Sequence, residues 1–264
     1  MTLPHRLLSI PAAGAEVKVF PDAAGLSRGV AEEFREAARA AVRTQGRFLV
    51  ALSGGSTPKA VYSLLAQEAG TEGGRLPWER MHLFLGDERC VAPEHPDSNF
   101  RMASEALFAR VPLPTGAIHR VRVEQGPGDA ARSYEAELRQ VAAGAESGSG
   151  AAVGVPVFDL ILLGMGTDGH TASLFPGTAA LEESRALVVA NRVEKLQADR
   201  ITFTYPLINA AAAVWFVTAG ADKASMLRNV LLGDPSGTVY PSQRVRPARG
   251  KLCWMIDEAA AAQL

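Results

Sequence analysis

In the stretch MGTDGHTAS, residues 165–173, a carboxylate and an imidazole stand two residues apart: Asp168 and His170. An imidazole titrates near neutrality and can take a proton from water. Asp168 is placed to orient that ring or to contact a ligand. A lone histidine beside an aspartate also fits the start of a helix. Three features favour catalysis here: glycines bracket the pair, an apolar run precedes it, and other polar loops follow comparable runs.

The second such loop is LSGGSTP, Leu52 to Pro58, directly after RFLVA. Gly54 and Gly55 permit a sharp turn and close backbone approach to a ligand. Ser56 or Thr57 is expected to cap a helix beginning at Pro58. Such a helix start presents open N–H groups and a partial positive charge, which suit a phosphate. Ser53 to Thr57 therefore reads as a helix cap or an anion cradle, and the segment lacks the lysine of a P-loop. Lys223, in ADKAS after another apolar run, tips the reading toward phosphate. Arg200, opening RITFTY, is a candidate second cation. The third loop, GDER, holds Asp87, Glu88 and Arg89. These read either as a surface ion pair or as a carboxylate facing a sugar hydroxyl with Arg89 facing an anion. Either Asp87 or Glu88 could be that carboxylate. HPDSNF follows, where Asp97 or Ser98 should cap the next helix and Asn99 and Arg101 remain within reach of the site.

Other chemistries lack their residues. There is no G-x-S-x-G elbow and no G-x-G-x-x-G after a strand. His82, His95, His119 and His170 show no H-x-x-x-H spacing, so no sequence-local metal site is indicated. Cys90 lacks an evident partner and reads as a small buried hydrophobe.

The elements that must position these residues alternate. AEVKVF, RFLVAL, MHLFLG, AIHRVRV, VFDLILLG, AVWFVTAG and KLCWMI read as strands. LSRGVAEEFREAARAAVRT, PKAVYSLLAQ, SNFRMASEALFA, ARSYEAELRQVAA and DKASMLRNVLL read as helices. Runs apolar on both sides imply strands covered on both faces. The expected fold is therefore a three-layer α/β/α arrangement around a mostly parallel, Rossmann-like sheet. In such folds the strand-end loops emerge on one edge, where ligands bind. The small, Gly/Ser-rich stretch from Ala142 to Pro156 reads as a surface connection, leaving residues 1–264 as one domain. The 264 residues are 47% hydrophobic with a formal net charge of -1, which gives no case for nucleic acid or an anionic membrane. Two cysteines, no signal-peptide pattern and no bilayer-length apolar run imply a soluble cytoplasmic protein.

Three blocks, LSGGSTP, LGDERCVAPEHPDSNFRM and LLGMGTDGHTASLFPG, resemble the signature blocks of the 6-phosphogluconolactonase family, within the wider group of glucosamine-6-phosphate isomerases and deaminases. The resemblance runs through nearly the whole chain in order. It implies hydrolysis of 6-phospho-D-glucono-1,5-lactone to 6-phosphogluconate, the second step of the oxidative pentose phosphate pathway, with no organic cofactor and generally no metal. It implies that His170 activates water and that Asp168 supports His170 or the substrate. It also implies that Ser53, Gly54, Gly55, Ser56 and Thr57 hold phosphate and sugar, with Lys223 and Arg200 at cationic positions and Asp87 and Arg89 lining the pocket. The partner is then a small sugar-phosphate lactone, bound by a monomer or homodimer. The deaminase branch places a glutamate five residues after the histidine to open the ring, whereas Phe175 stands there in this chain. A non-catalytic sugar-phosphate sensor is the third reading.

Overall fold

The computed structural model describes residues 5–10, 14–143, 155–234 and 239–264. Most of the expected surface connection between Ala142 and Pro156 lies outside the described residues. The strands in chain order are β1 (Arg6–Ile10), β2 (Ala15–Phe20), β3 (Phe48–Leu52), β4 (Met81–Leu85), β5 (Asp87–Arg89), β6 (Ile118–His119), β7 (Leu160–Leu163), β8 (Val188–Val193), β9 (Ala198–Phe203), β10 (Ala213–Thr218) and β11 (Lys251–Asp257). The α-helices are α1 (Ala23–Gln45), α2 (Ser56–Glu68), α3 (Asn99–Ala106), α4 (Pro127–Ala143), α5 (Tyr205–Ile208) and α6 (Ala224–Leu232). Among the described residues no helix is long and apolar enough to cross a membrane.

Eight strands form one sheet in the order β1-β2-β11-β10-β7-β3-β4-β6, parallel throughout except for β1 against β2. Strands β3 and β7 are buried along their whole length, as their unbroken apolar sequences require. Successive side chains alternate between two cores. Phe48, Val50 and Leu52 of β3 pack with Leu26, Val30 and Phe34 of α1 and with Val61 and Leu65 of α2. Leu49 and Ala51 face Tyr134 and Leu138 of α4, Leu227 of α6, and Ile201 and Phe203 of β9. Helix α1 starts on Asp22, whose carboxylate accepts the Gly25 N–H at 2.6 Å. It stops at Gly46, which has φ 74°. Gly29 leaves room for the Phe20 ring, which lies 2.2 Å from where a Cβ would stand, so β2 and α1 come into close contact.

The connectivity makes a switch point. From β3 the chain proceeds to β4 and β6 on one side; from β7 it proceeds to β10 and β11 on the other. The crevice outside the carboxyl ends of β3 and β7 is where open parallel sheets bind ligands. The loops carrying Ser53–Thr57 and Asp168–His170 leave those two strands. Their neighbours β4 and β10 deliver Asp87 and Lys223 to the same edge.

Two strand expectations change. AIHRVRV is paired only at Ile118 and His119, because this is the sheet edge and β4 offers partners only at Leu83 and Phe84. GDER is not a loop: Asp87–Arg89 is β5, which joins β9 and β8 in a separate antiparallel sheet in the order β5-β9-β8. Gly86 splices the two sheets, donating to Leu52 O at 2.9 Å and accepting from Phe203 N at 2.9 Å.

The β4–β6 edge holds a buried polar relay. His119 Nδ1 lies 2.7 Å from Glu137 and its Nε2 lies 3.1 Å from His82 Nδ1. A carboxylate only accepts, so His119 donates from Nδ1 to Glu137. Burial, then His119 and Arg47, lower the His82 pKa from its ordinary value. The unfolded chain, with a His pKa of about 6.5, thus binds a proton more readily than the fold does. The stability this group contributes is complete above that value and is lost as pH falls below it. The thermal midpoint should drop between pH 7.5 and pH 5, and by less in His82→Gln. An equal drop in both would place the acid-sensitive group elsewhere.

Candidate active site

The turn after β7 is shaped by contacts that only particular residues allow. A Cβ on Gly166 would stand 2.0 Å from His170 Nδ1 and 2.8 Å from Asp168 Oδ1, so glycine is what lets the two side chains fold back over the turn. Gly169 has φ 77°, a left-handed conformation, and Tyr240 fills the space a side chain would need. The Gly169 carbonyl accepts from both the backbone N (3.0 Å) and the Oγ (2.8 Å) of Ser242. Thr171 closes the turn by donating to Gly164 O at 2.8 Å. Within this frame His170 Nδ1 lies 2.5 Å from Asp168 Oδ1. Lys195 Nζ lies 2.9 Å from Asp168 Oδ2. Burial pushes the Asp168 carboxyl up, but hydrogen bonds from Lys195 and His170 outweigh it and hold the group well below the ordinary carboxylate range. It is a carboxylate at any working pH, so Nδ1 of His170 carries the hydrogen and Nε2 is left as the basic nitrogen. The imidazole face stacks on Phe175 with centroids 4.0 Å apart.

The small sheet supplies the second group. Alternate residues of a strand face opposite sides, so Asp87 and Arg89 share one face and Glu88 takes the other. Glu88 is 2% exposed. Its carboxylate accepts from the backbone N–H groups of Arg89, Asn99 and Phe100 and from Ser98 Oγ. Burial raises its pKa above the ordinary value, and those N–H groups only partly offset this. Glu88 is therefore an anchor for the start of α3, while Asp87 faces the site. Asp87 accepts from Ser173 Oγ at 2.7 Å and from Asn99 Nδ2 at 3.3 Å, joining the turn after β7 to β5 and α3. Ser98 caps α3 by accepting from Arg101 N at 3.1 Å, as expected. Arg101 instead turns to Glu105 and the Glu94 carbonyl.

Arg89 and Arg200 are direct cross-strand partners. Like charges placed so are unfavourable unless an anion joins them. Among the described residues neither has a carboxylate ion-pair partner, and Arg200 Nε is buried with no hydrogen bond. Burial first, and then Arg89, lower the Arg200 pKa, while Asp87 raises it. Arg89 Nη1 donates to Asp97 O. The outcome is two arginines side by side next to the crevice, with Asp87 on the same face of β5.

At the end of β3, Tyr62 OH fixes Ser53 by accepting from its N at 3.0 Å and donating to its O at 2.9 Å. The Ser53 hydroxyl is buried with no hydrogen-bond partner among the described residues. The cap expectation is corrected here. Helix α2 begins at Ser56, not Pro58, and its N-cap is Gly55 at φ 107°, with no side chain capping the first turn. A side chain at Gly54 would overlap the Asn99 carboxamide, whose Oδ1 lies 2.0 Å from the Cβ position. The hydroxyls of Ser56 and Thr57 and the uncapped amides thus stand available to an anion. Lys223 heads α6 and pairs with Asp222 at 3.1 Å. Among the described residues it has no hydrogen bond or ion pair with the other candidate residues, but its loop is tethered by Asp257, which accepts the Gly220 N–H at 3.0 Å.

Lys195, Ser173 and Asp257 were not among the expected site residues. Each acts through contacts distant in sequence, and no local spacing marks them. Cys90 is half-buried, and burial pushes its thiol up to about 11, which does not suit a nucleophile.

Comparison with known proteins gives a consistent picture. The family described as glucosamine-6-phosphate isomerases/6-phosphogluconolactonase matches residues 21–254. The chain is 42% identical over 250 residues to a 6-phosphogluconolactonase of Nostoc sp., covering 94% of this chain and 98% of that one. It is 42% identical over 229 residues to a 6-phosphogluconolactonase of Synechocystis sp., covering 85% and 88%. Among solved structures, a 6-phosphogluconolactonase from Trypanosoma cruzi superposes with a TM-score of 0.81 at 29% identity, over 98% of this chain and 99% of that one.

Proposed function

Because the chain belongs to the glucosamine-6-phosphate isomerase/6-phosphogluconolactonase family, we propose that it hydrolyses 6-phospho-D-glucono-1,5-lactone to 6-phospho-D-gluconate in the pentose phosphate pathway. His170 Nε2 takes a proton from water as the water oxygen attacks C1. The tetrahedral intermediate collapses with cleavage of the bond between C1 and the ring oxygen, and the imidazolium returns the proton to that oxygen. Asp168 holds the ring and stabilises its charged form. A lactone is an activated ester, so positioning and a general base suffice without a covalent intermediate.

The phosphate is held by the uncapped start of α2, with Ser53 to Thr57, and by Lys223 and Arg200. Asp87 and Arg89 line the sugar side. This grip supplies binding energy remote from the reacting carbon.

The observation that carries this reading is the Asp168–His170 pair, with the His170 ring stacked on Phe175. The pair supports a general base at His170, and Phe175 stands where the resemblance puts the ring-opening glutamate of the deaminases. That favours the lactonase over the deaminase branch of the family.

The test is hydrolysis of freshly generated 6-phosphogluconolactone, corrected for spontaneous opening, with glucosamine 6-phosphate deamination run alongside. Lactone hydrolysis without ammonia release is expected. Ammonia release alone would overturn the assignment. In the same assay Lys223→Ala should raise KM about tenfold with kcat little changed, the loss of one charge-assisted hydrogen bond. An unchanged KM would remove Lys223 from the phosphate grip.

A further inference from the structure

The hairpin joining β8 to β9 holds its shape by its own polar contacts. A 3-10 turn at Glu194–Leu196 is followed by Gln197 at φ 49°, and Gln197 Nε2 donates to the Glu194 carbonyl at 2.8 Å. Arg192 pairs with Glu194 at 3.5 Å and with Asp199 at 3.6 Å across the base of the tip. Val193 before the turn is buried, while Leu196 at the tip is exposed. Yet the tip places Lys195 Nζ 2.9 Å from Asp168 Oδ2, across 27 residues of sequence.

The Lys195 side chain is 69% exposed. An ion pair so exposed contributes little to stability, so stability does not explain why it is built. Its geometry does suit another role. Asp168 Oδ1 is engaged by the His170 ring and backbone N–H. Among the described residues, Oδ2 has Lys195 as its hydrogen-bond partner. The terminal torsion of an aspartate is broad and soft. Held only through Oδ1, by the ring and the backbone N–H of His170, the carboxylate plane would still tilt; a second anchor on Oδ2 fixes it.

We propose that Lys195 is a positioning residue for the lactonase reaction, holding the Asp168 carboxylate in the plane that keeps the hydrogen of His170 on Nδ1 and its Nε2 free for water. The order of action is Lys195, Asp168, His170, then water, with Lys195 not contacting the substrate. The proposal deepens the hydrolytic reading above and rests on it for its kinetic part. Arg200 lies five residues further along the same hairpin, so one small element carries both a cation for the phosphate and the anchor for the base. Phosphate binding at Arg200 would then also steady the tip that steadies Asp168.

The experiment compares Lys195→Met and Lys195→Arg in the full chain. For Lys195→Met, kcat should fall about tenfold, the cost of slight misplacement of a catalytic group, with KM within about a factor of two. Lys195→Arg should recover most of the rate, because a guanidinium also pairs with a carboxylate. The thermal midpoint should stay unchanged in both. Separately, the 15N spectrum of the His170 ring, recorded without substrate, should show one tautomer in the wild type and a mixture in Lys195→Met. That spectrum needs no turnover. If the chain proved inactive on the lactone, a mixed tautomer would still support the positioning role, and the failure would belong to the assigned reaction. A loss confined to KM would mean Lys195 grips the substrate and would overturn the proposal. An unchanged kcat in an active enzyme, or an unchanged tautomer, would overturn it as well.

Discussion

Asp168→Asn should lower kcat by about a thousandfold or more, with KM near the wild-type value. The reasoning is one of donors and acceptors. Asp168 offers an acceptor oxygen to His170 Nδ1 and another to Lys195. Asparagine has one acceptor and one donor group. If its oxygen stays with the Lys195 ammonium, its NH2 faces Nδ1, and the ring must carry its hydrogen on Nε2. The nitrogen that should take the proton from water is then already protonated. If the amide flips, its NH2 opposes the ammonium, two donors face to face. Lys195 thus biases the amide toward the damaging orientation. The geometry of the turn changes little, so substrate binding persists. The double variant Asp168→Asn/Lys195→Met removes that bias and should be more active than Asp168→Asn alone. A single variant within tenfold of wild type would show that Asp168 does not set the tautomer of His170.

The residues that were legible in the sequence are those whose meaning is local. The apolar runs of β3 and β7 declared strands covered on both faces, and the polar loops that follow them lie where the sheet's switch point places a ligand. The sequence left Asp168 to orient His170 or to contact a ligand, and the structure shows the contact with His170. What was missed depends on register or on distant partners. Asp87–Arg89 is too short and too polar to read as a strand, and only its pairing with β9 reveals it. Once it is a strand, alternation assigns Glu88 inward and Asp87 with Arg89 outward, a choice the loop reading left open. VVANRV, which forms β8, alternates but sits among turn residues, and its partner is the following strand rather than the large sheet. The expected cap at Ser56 or Thr57 failed because Gly55, at positive φ, already occupies the N-cap. Glycine at the N-cap costs α2 little, and it leaves the first-turn amides without a side-chain cap, as the proposed phosphate grip requires.

His170→Ala should lower kcat by at least about a hundredfold, the lower range for loss of a general base. The site as a whole should survive the change. The His170 carbonyl accepts from Gly166 N at 2.9 Å, and alanine keeps that bond. The ring is partly exposed and stacks on Phe175, so its removal opens the pocket to water rather than leaving a sealed cavity. The residues proposed to grip the phosphate, Arg200, Lys223 and the start of α2, lie on other elements. Binding of 6-phosphogluconate should therefore stay near the wild-type value while turnover falls, which separates loss of the base from loss of the fold. Because the lactone also opens without enzyme, the residual rate must be read against the buffer rate at the same pH. Added imidazole should restore part of the lost turnover, since the vacated space faces the water that must be deprotonated. Turnover within tenfold of wild type would mean that another group takes the proton; Asp87, joined to the same turn through Ser173, would be the next residue to replace.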